Sequence, residues 1–341
     1  MRVLIIKMSS LGDIIHTFPA LTDAARHIPG IQFDWVVEKS FQEVPKLHKQ
    51  VQEVIVLSLR QWRHRLVDAW QQNEIQSAFH LLRKQSYDYV IDAQGLLKSG
   101  LIGILAKGKC VGFDKYSARE PLVSVLYQKK YRVMKNLHAV TRLRQLFAQG
   151  LGYSVPQDTA NFEIDTTFLP LWKQDNPYCV FLHGTTWTTK HWPDRYWESL
   201  AAMLVKRGLK VYLPYNNQIE YARAHQIQAK VPGVEILPRL TLLEIGGLLQ
   251  KAHSVIGVDT GLVHLSAALN VPTLSLYGPS DPLKSGPIGK HQKILGSTFQ
   301  CIKCLKRHCH YPGPKSIDPP CFGALPPQLV FEQWDQLINS G

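Results

Sequence analysis

The 341-residue sequence contains three loops whose residue types could bind phosphate groups or move a proton. The first loop, Lys7–Asp13, reads KMSSLGD and lies between a short apolar run and a segment with helical spacing. Ser10 and Gly12 would let backbone N–H groups turn toward a ligand at the N-terminus of that helix. Asp13 would lie in the first helical turn, where a carboxylate can act as a general base or simply complement the helix dipole. The residues alone favour the second interpretation.

The second loop, His183–Pro193, reads HGTTWTTKHWP and directly follows a predicted strand. The hydroxyls of Thr185 and Thr186, together with the ammonium group of Lys190, suit a diphosphate, which accepts several hydrogen bonds and carries negative charge. The alternative is a threonine-rich surface turn. So many binding residue types in one short loop favour a ligand site.

The third loop begins where a predicted strand ends, and its sequence GVDTGLVHLSAA runs on into a helix of small residues. Gly261 permits a ligand to approach the backbone, and the helix N-terminus after Asp259 and Thr260 suits a phosphate group. Simple helix capping by Asp259 or Thr260 is the alternative. His264, one turn into the helix, could equally be a core residue.

Strands and helices must alternate along the whole chain to position these loops. Strands are predicted at Val3–Lys7, Phe33–Val37, Glu53–Leu57, Tyr89–Asp92, Cys179–His183, Leu209–Leu213, Ser254–Val258 and Thr273–Leu276. Helices are predicted at Ile14–His27, Asp68–Lys84, Pro193–Arg207, Gln218–Lys230, Leu242–Lys251 and Gly261–Leu269. This alternation favours an α/β fold of two doubly wound domains, because each series makes a parallel sheet covered on both faces. Ligands of such sheets bind at the carboxyl ends of strands, so the site is expected in a cleft between the domains.

Chain length and charge agree with two domains that meet an anionic partner. A single core seldom grows beyond about 250–300 residues. We expect residues 1–165 and 176–325 to form the two domains, and 326–341 to form a helix that packs back on the first. Residues 1–150 hold 22 Lys and Arg against 12 Asp and Glu, whereas residues 151–341 hold 17 against 14. A phosphorylated substrate, an acidic membrane surface or nucleic acid would complement the basic half, although a solubilising surface has the same composition.

Several classes of protein lack support in the sequence. No apolar stretch reaches the roughly 18 residues that span a bilayer, and the N-terminal apolar run is too short for a secretory signal. We therefore expect a cytoplasmic protein. None of the usual nucleic-acid-reading modules is present, so no nucleic acid is expected as a partner. The G-x-G-x-x-G fingerprint is missing from the first loop, which disfavours a nicotinamide enzyme.

Four of the six cysteines fall close together, with spacing C-x2-C-x4-C-x11-C. In a cytoplasmic protein such a group suggests a structural zinc ion, with His308 or His310 as substitute ligands, rather than disulfides. Reduced, metal-free thiols are the equal alternative. In either case we expect a structural role. The four residues are Cys301, Cys304, Cys309 and Cys321.

The sequence as a whole resembles the lipopolysaccharide heptosyltransferases, glycosyltransferase family 9, and within them most closely the heptosyltransferase I group. The matching segments are MRVLIIKMSSLGDIIHTFPAL at 1–21, VIDAQGLLKSG at 90–100, AREPL at 118–122, FLHGTTWTTKHWP at 181–193 and VDTGLVHLSAALNVPTLSLYGPSDP at 258–282. The resemblance implies the GT-B architecture, two Rossmann-like domains facing across a cleft. It implies inverting transfer of heptose from ADP-heptose to the Kdo of lipid A, the Kdo being phosphorylated in some members. It further implies that catalysis requires no cofactor, and that the enzyme works peripherally at the cytoplasmic face of the inner membrane.

The resemblance also assigns roles to individual positions. Asp13 becomes the general base, against the interpretation that its residue type favours. Lys190 becomes a catalytic cation at the donor diphosphate, Glu220 a ribose ligand and Leu240 a neighbour of the adenine. The remaining donor-side positions are Ser10, Gly12, Thr185, Thr186, Asp259, Thr260, Gly261 and His264. The acceptor-side positions are Lys7, Arg60, Arg63, Lys98, Arg119 and His138, with Arg65 and Arg142 as weaker candidates.

Two departures leave the acceptor open. Trp187, Thr188 and Thr189 stand where the heptosyltransferase I donor loop usually carries charged residues. The cysteine-rich element is more typical of heptosyltransferases that act later in the pathway. A transferase for a later inner-core heptose, or another GT-B nucleotide-sugar enzyme such as a hexose transferase or a sugar 2-epimerase, therefore remains the alternative.

Overall fold

The computed structural model describes residues 1–174 and 176–340. The chain forms two compact units, an N-terminal unit Met1–Phe168 and a C-terminal unit that begins at Leu169. Leu169 and Pro170 already belong to the C-terminal unit because they pack on Gly246 and Gly247, where the absence of a side chain leaves room for them.

The N-terminal unit contains one six-stranded sheet and helices on both of its faces. The strands are β1 Arg2–Ile6, β2 Gln32–Glu38, β3 Val51–Leu57, β4 Ser86–Asp92, β5 Lys107–Phe113 and β6 Lys129–Tyr131. The helices are α1 Leu11–Ile15, α2 Phe18–His27, α3 Leu59–Trp62, α4 Leu66–Gln71, α5 Glu74–Lys84, α6 Leu97–Leu105 and α7 Ala139–Leu151. A 3-10 turn at Pro121–Leu126 connects β5 to β6.

All strand pairs of this sheet are parallel, in the order β3-β2-β1-β4-β5-β6. This is the Rossmann order, in which the direction of winding reverses between β1 and β4. Strand β1 is central and buried on both faces, which explains its continuous apolar sequence VLII. The loops after β1 and β4 therefore meet at the topological switch point, where open α/β sheets bind ligands.

The C-terminal unit repeats this plan. Its strands are β7 Tyr178–Leu182, β8 Lys210–Leu213, β9 Val234–Ile236, β10 Ser254–Val258, β11 Thr273–Tyr277 and β12 Gln292–Gly296. Its helices are α8 Asp194–Lys206, α9 Gln218–Lys230, α10 Leu242–Gln250, α11 Gly261–Ala268, α12 Pro282–Ser285 and α13 Pro327–Asn339. The order β12-β11-β10-β7-β8-β9 places a second switch point between β7 and β10.

The C-terminal helix α13 packs in the C-terminal unit, which corrects the expectation that it returns to the first domain. Its Val330 and Trp334 are buried in the core of that unit. The indole N–H of Trp334 donates to Ser254 Oγ at 2.9 Å, and the helix lies against α8, β11 and β12. The apolar face of α13 is thus satisfied within its own unit.

Two helices predicted as continuous are interrupted. The segment Ile14–His27 divides into α1 and α2, with Pro19 in the first turn of α2. The segment Asp68–Lys84 divides into α4 and α5 at Asn73, whose φ of 57° is left-handed. No helix among residues 1–174 and 176–340 is both long and apolar enough to cross a bilayer.

Candidate active site

Asp13 is held in place by the loop that follows β1. The backbone N–H and the hydroxyl of Ser10 both donate to Asp13 Oδ2, at 2.9 and 2.8 Å. Ser10 is the N-cap of α1, so the two residues form a capping box. The Asp13 side chain stays 41% exposed. Asp13 is therefore both a capping partner of Ser10 and a carboxylate that a substrate can reach.

Lys7 and Gln94 connect the two loops of the first switch point. Lys7 Nζ lies 3.7 Å from Asp13 Oδ1 and donates to the carbonyl of Ala93 at 3.1 Å. The side-chain oxygen of Gln94 accepts from the backbone N–H of Met8 at 3.0 Å. Only 8% of the Lys7 side chain is exposed. The loop after β4 thus orients Lys7, and Lys7 in turn faces the carboxylate.

The surroundings of Asp13 keep its carboxyl group ionised. Burial opposes the charged form, but the Lys7 ammonium, the two hydrogen bonds from Ser10 and the Arg119 guanidinium outweigh it and lower the pKa of Asp13. Asp13 is therefore a carboxylate at neutral pH. An ionised carboxylate can accept a proton from a hydroxyl, which a buried, protonated one could not do.

The predicted acceptor-side cations differ in how free they are. Arg60, Arg63, Lys98 and Arg119 are exposed at the surface of the N-terminal unit. Burial raises the pKa of Glu38, and the positive charges of Arg60 and Lys98 oppose that rise. Each of these exposed cations can bind an anionic group. The positive charge of Arg119 also lowers the pKa of Asp13.

His138 and the two weaker candidates have structural partners. His138 caps α7 by accepting from the Val140 N–H at 3.2 Å. Arg65 pairs with Glu74 at 2.9 Å. Arg142 donates to the carbonyl of Ser117 at 2.6 Å, and burial lowers its pKa. Partners of this kind explain Arg65 and Arg142 without a ligand.

In the C-terminal unit, Lys190 lies between two loops of the second switch point. Its Nζ is 2.6 Å from Asp259 Oδ2, at the end of β10. Ser280, in the loop after β11, donates its hydroxyl to the same carboxylate oxygen. Lys190 also lies over the ring of Trp187, 4.5 Å from the ring centre. Three loops therefore converge on one cation, which is held at the edge of the sheet.

The N-terminus of α11 opens beside this cluster. Its N-cap is Thr260, in extended conformation and with its hydroxyl not engaged in capping. Gly261 is the first helical residue, and His264 is buried within the helix. Thr185 donates its hydroxyl to the carbonyl of Asp259 at 3.2 Å, which joins the second and third loops. A helix N-terminus next to an ammonium group forms an anion-binding arrangement.

Glu220 lies beside the start of the second loop. The Glu220 carboxylate packs against Gly184, so closely that a Cβ at Gly184 would displace it. The carboxylate accepts from the Asn216 N–H at 2.7 Å and from Asn217 Nδ2 at 2.9 Å. Leu240 is half-buried just before α10, and Thr186 is exposed. Glu220 is thus brought to the second loop, as a ribose ligand would have to be.

The four clustered cysteines, for which a zinc ion and metal-free thiols were both predicted, line one cavity. Across residues 1–174 and 176–340, no three His, Cys, Asp or Glu side chains are arranged to hold a metal ion. Cys304 is exposed, next to Lys303 and Leu305 in left-handed conformation, whereas Cys321 is buried against Phe322 and Gly278.

The cysteine-rich segment nevertheless supports the second loop. Thr188 and Thr189 donate their hydroxyls to the carbonyls of Arg307 and Lys306, at 2.8 and 2.6 Å. Arg307 also lies over the Trp187 ring, 5.5 Å from its centre. The uncharged residues at 187–189 thus have a packing role that the sequence did not indicate.

Two residues that organise the loops, Gln94 and Ser280, were not predicted from the sequence. Both follow a strand end, in the segments VIDAQG and LYGPSD. Gln94 follows β4, which neighbours β1, and Ser280 follows β11, which neighbours β10. The carboxyl ends of neighbouring parallel strands meet at one edge of the sheet, so this position was the signal available in the sequence.

Two Rossmann-type units, one with an ionised carboxylate at its switch point and one with an anion-binding cluster, define a nucleotide-sugar enzyme of the GT-B class. Comparison with known proteins is more specific. The family model for glycosyltransferase family 9 (heptosyltransferase) matches residues 75–314. The chain belongs to this family, and the expected family and fold class are confirmed.

Individual relatives cover almost the whole chain. Lipopolysaccharide heptosyltransferase 1 of Pseudomonas aeruginosa is 47% identical, over 99% of this chain and 98% of the relative. The protein of the same description from Escherichia coli K12 is 45% identical, over 86% and 93%. The solved structure described as E. coli heptosyltransferase WaaC with ADP-2-deoxy-2-fluoro heptose has a TM-score of 0.84 at 40% identity, covering 98% of this chain and 99% of that one.

Proposed function

We propose that this glycosyltransferase moves L-glycero-D-manno-heptose from ADP-heptose to a Kdo residue of lipid A, with inversion at the anomeric carbon. The observation that carries the proposal is an ionised Asp13 in one unit and the Lys190 cluster in the other, in a chain similar to a protein solved with a fluorinated ADP-heptose. A carboxylate that is kept ionised can remove the proton from the attacking acceptor hydroxyl.

The C-terminal unit supplies the donor site in this proposal. The N-terminus of α11 and the ammonium of Lys190 stabilise the charge that develops on the departing diphosphate. Asp259 and Ser280 orient Lys190 rather than contact the phosphates, because a carboxylate beside a diphosphate would repel it. The Glu220 carboxylate accepts hydrogen bonds from the ribose hydroxyls, and Leu240 packs on the adenine.

The N-terminal unit supplies the acceptor site. The Kdo carboxylates and any phosphate on the acceptor bind to the exposed cations Arg60, Arg63, Lys98 and Arg119. Guanidinium groups form bidentate hydrogen bonds with both kinds of anion. Lys7 is excluded from direct acceptor contact by its burial, and we assign it to Asp13 instead. Working on a lipid substrate places the enzyme at the inner face of the inner membrane.

Acceptor-dependent release of ADP tests the proposal. The purified protein is supplied with ADP-heptose and, in parallel, with Kdo2-lipid A and phosphorylated Kdo-lipid A. Release that requires one of these acceptors supports the assignment and identifies the acceptor. Release that proceeds equally without acceptor would instead indicate an epimerase-like or hydrolytic enzyme. Donor binding without release on either lipid would move the function to a later heptose.

A further inference from the structure

The outer face of α6 and the neighbouring 121–126 turn expose five large apolar side chains. Leu97, Leu101 and Ile104 of the helix are 39%, 51% and 46% exposed, and Leu122 and Val125 of the turn are 68% and 72% exposed. We call these five residues the outer apolar patch. Single exposed apolar residues are ordinary, whereas a contiguous group on a protein surface marks an interaction site.

The packing of α6 shows that the patch is contiguous. Leu97, Leu101 and Ile104 are spaced i, i+4 and i+7, so they share one side of the helix. Gly100 contacts the turn directly, since a Cβ there would lie 3.0 Å from Leu126 Cδ1 and closer still to Val123. Leu97 and Ile104 lie three residues before and four after Gly100, next to that contact. The helix stripe therefore borders the exposed residues of the turn.

The segment that carries the patch is rich in positive charge. Residues 97–135, which contain α6, β5, the turn and β6, include nine Lys and Arg but only two Asp and Glu. Lys98 is exposed on α6, Arg119 just before the turn, and Lys129 and Lys130 on the strand after it. An apolar surface with basic residues near it matches an anionic lipid bilayer. The acyl chains can contact the apolar side chains, and the headgroup charges can attract the basic ones.

We propose that the outer apolar patch is the surface by which this protein docks on an anionic phospholipid bilayer. The charge favours this occupant over a second copy of the chain, because a two-fold contact would bring the same basic residues against themselves. The inference rests on the proposed function in one respect, that a lipid-anchored acceptor must be reached at a membrane. The position fits that need, since α6 begins three residues after Gln94, in the loop that holds Lys7.

Vesicle flotation of the full-length protein tests the surface without donor or acceptor. Vesicles of phosphatidylcholine alone are compared with vesicles that also contain phosphatidylglycerol. The Leu101→Glu/Val125→Glu variant should bind anionic vesicles at least about tenfold more weakly, since two apolar contacts are replaced by charges that the bilayer repels. The control is Leu171→Glu/Leu283→Glu, which changes leucines 70% and 74% exposed in the C-terminal unit and should bind like the wild type.

Binding should also require phosphatidylglycerol and should weaken as salt rises. Equal binding of both variants, or no binding of the wild type to either kind of vesicle, would overturn the proposal. A sedimentation experiment in which the wild type is a dimer and the patch variant a monomer would overturn it in favour of self-association.

Turnover separates this inference from the proposed function. The patch variant should use a de-acylated, water-soluble acceptor as the wild type does, but should lose turnover on acceptor embedded in vesicles. Loss on both acceptors would show that the patch supports catalysis or folding instead. If the wild type transfers to no acceptor at all, the proposed function fails while the flotation result stands by itself.

Discussion

Replacing Lys7 by methionine should shift the pH dependence of turnover, because the Lys7 ammonium lies 3.7 Å from the Asp13 carboxylate. At about 4 Å, two unit charges interact by about 1 kcal/mol in bulk water and about 4 kcal/mol at an effective dielectric constant of about 20. The lower value applies, since the Asp13 side chain is 41% exposed. The pKa of Asp13 should therefore rise, because its ionised form loses about 1 kcal/mol of stabilisation.

The direction of the shift follows from the base form of Asp13. Activity is present above the pKa of Asp13 and is lost as pH falls through it, so a higher pKa moves the acid limb of kcat/KM to higher pH. Profiles of Lys7→Met and of Lys84→Met, which removes an exposed cation elsewhere in the unit, would be measured by ADP release. An unchanged acid limb together with a pH-independent rise in acceptor KM would refute our reasoning and return Lys7 to the acceptor site.

Lys190→Ala should weaken ADP-heptose binding by about tenfold to a hundredfold in calorimetry, the loss expected for a charged hydrogen bond. Adding Asp259→Asn should restore part of that affinity, and a further loss would contradict the orienting role of Asp259. Burial lowers the pKa of His48 to about 4, so stability should fall as pH drops below about 6.5, by on the order of 2 kcal/mol at pH 5. Urea unfolding of His48→Gln should show a flatter pH dependence, and an equally steep one would exclude His48 as the cause. Cys321→Ser should cost about 1–3 kcal/mol of unfolding free energy, because it buries a hydroxyl in the core. The exposed Cys304→Ser should stay within about 0.5 kcal/mol, and equal losses would instead indicate a shared site.

Most strands of both sheets could be predicted from the sequence, including the edge strand β3, whereas β5, β6, β9 and β12 could not. Strand β10 was predicted with its observed bounds, since a strand buried on both faces is a continuous apolar run. Strand β5 reads KGKCVGF and was missed. Its Gly112 makes room for the Tyr127 ring, and that requirement comes from tertiary packing. Strands β6, β9 and β12 were missed too, because they lie toward the sheet edges and are short or partly exposed.

The site was predictable as a set of loops but not as a network of contacts. The predicted strand ends indicated the loops that contain Asp13, Lys190 and Asp259, and each of these loops lies at a switch point. The burial of Lys7 could not be foreseen, since lysine is almost never buried without a partner. Its partners come from the loop after β4, as the bond between Met8 and Gln94 shows across 86 positions of sequence. Such contacts depend on the register of the folded sheet.

Rapid-quench measurement of a single turnover by Asp13→Asn tests the central claim most directly. With ADP-heptose and the lipid acceptor that the wild type uses, the variant should bind the donor with nearly unchanged affinity. Its chemical step should be slower by about a hundredfold to ten-thousandfold, the usual contribution of a general base. A variant that transfers heptose at the wild-type rate would contradict the assignment of Asp13 as the base and, with it, the mechanism proposed for this enzyme.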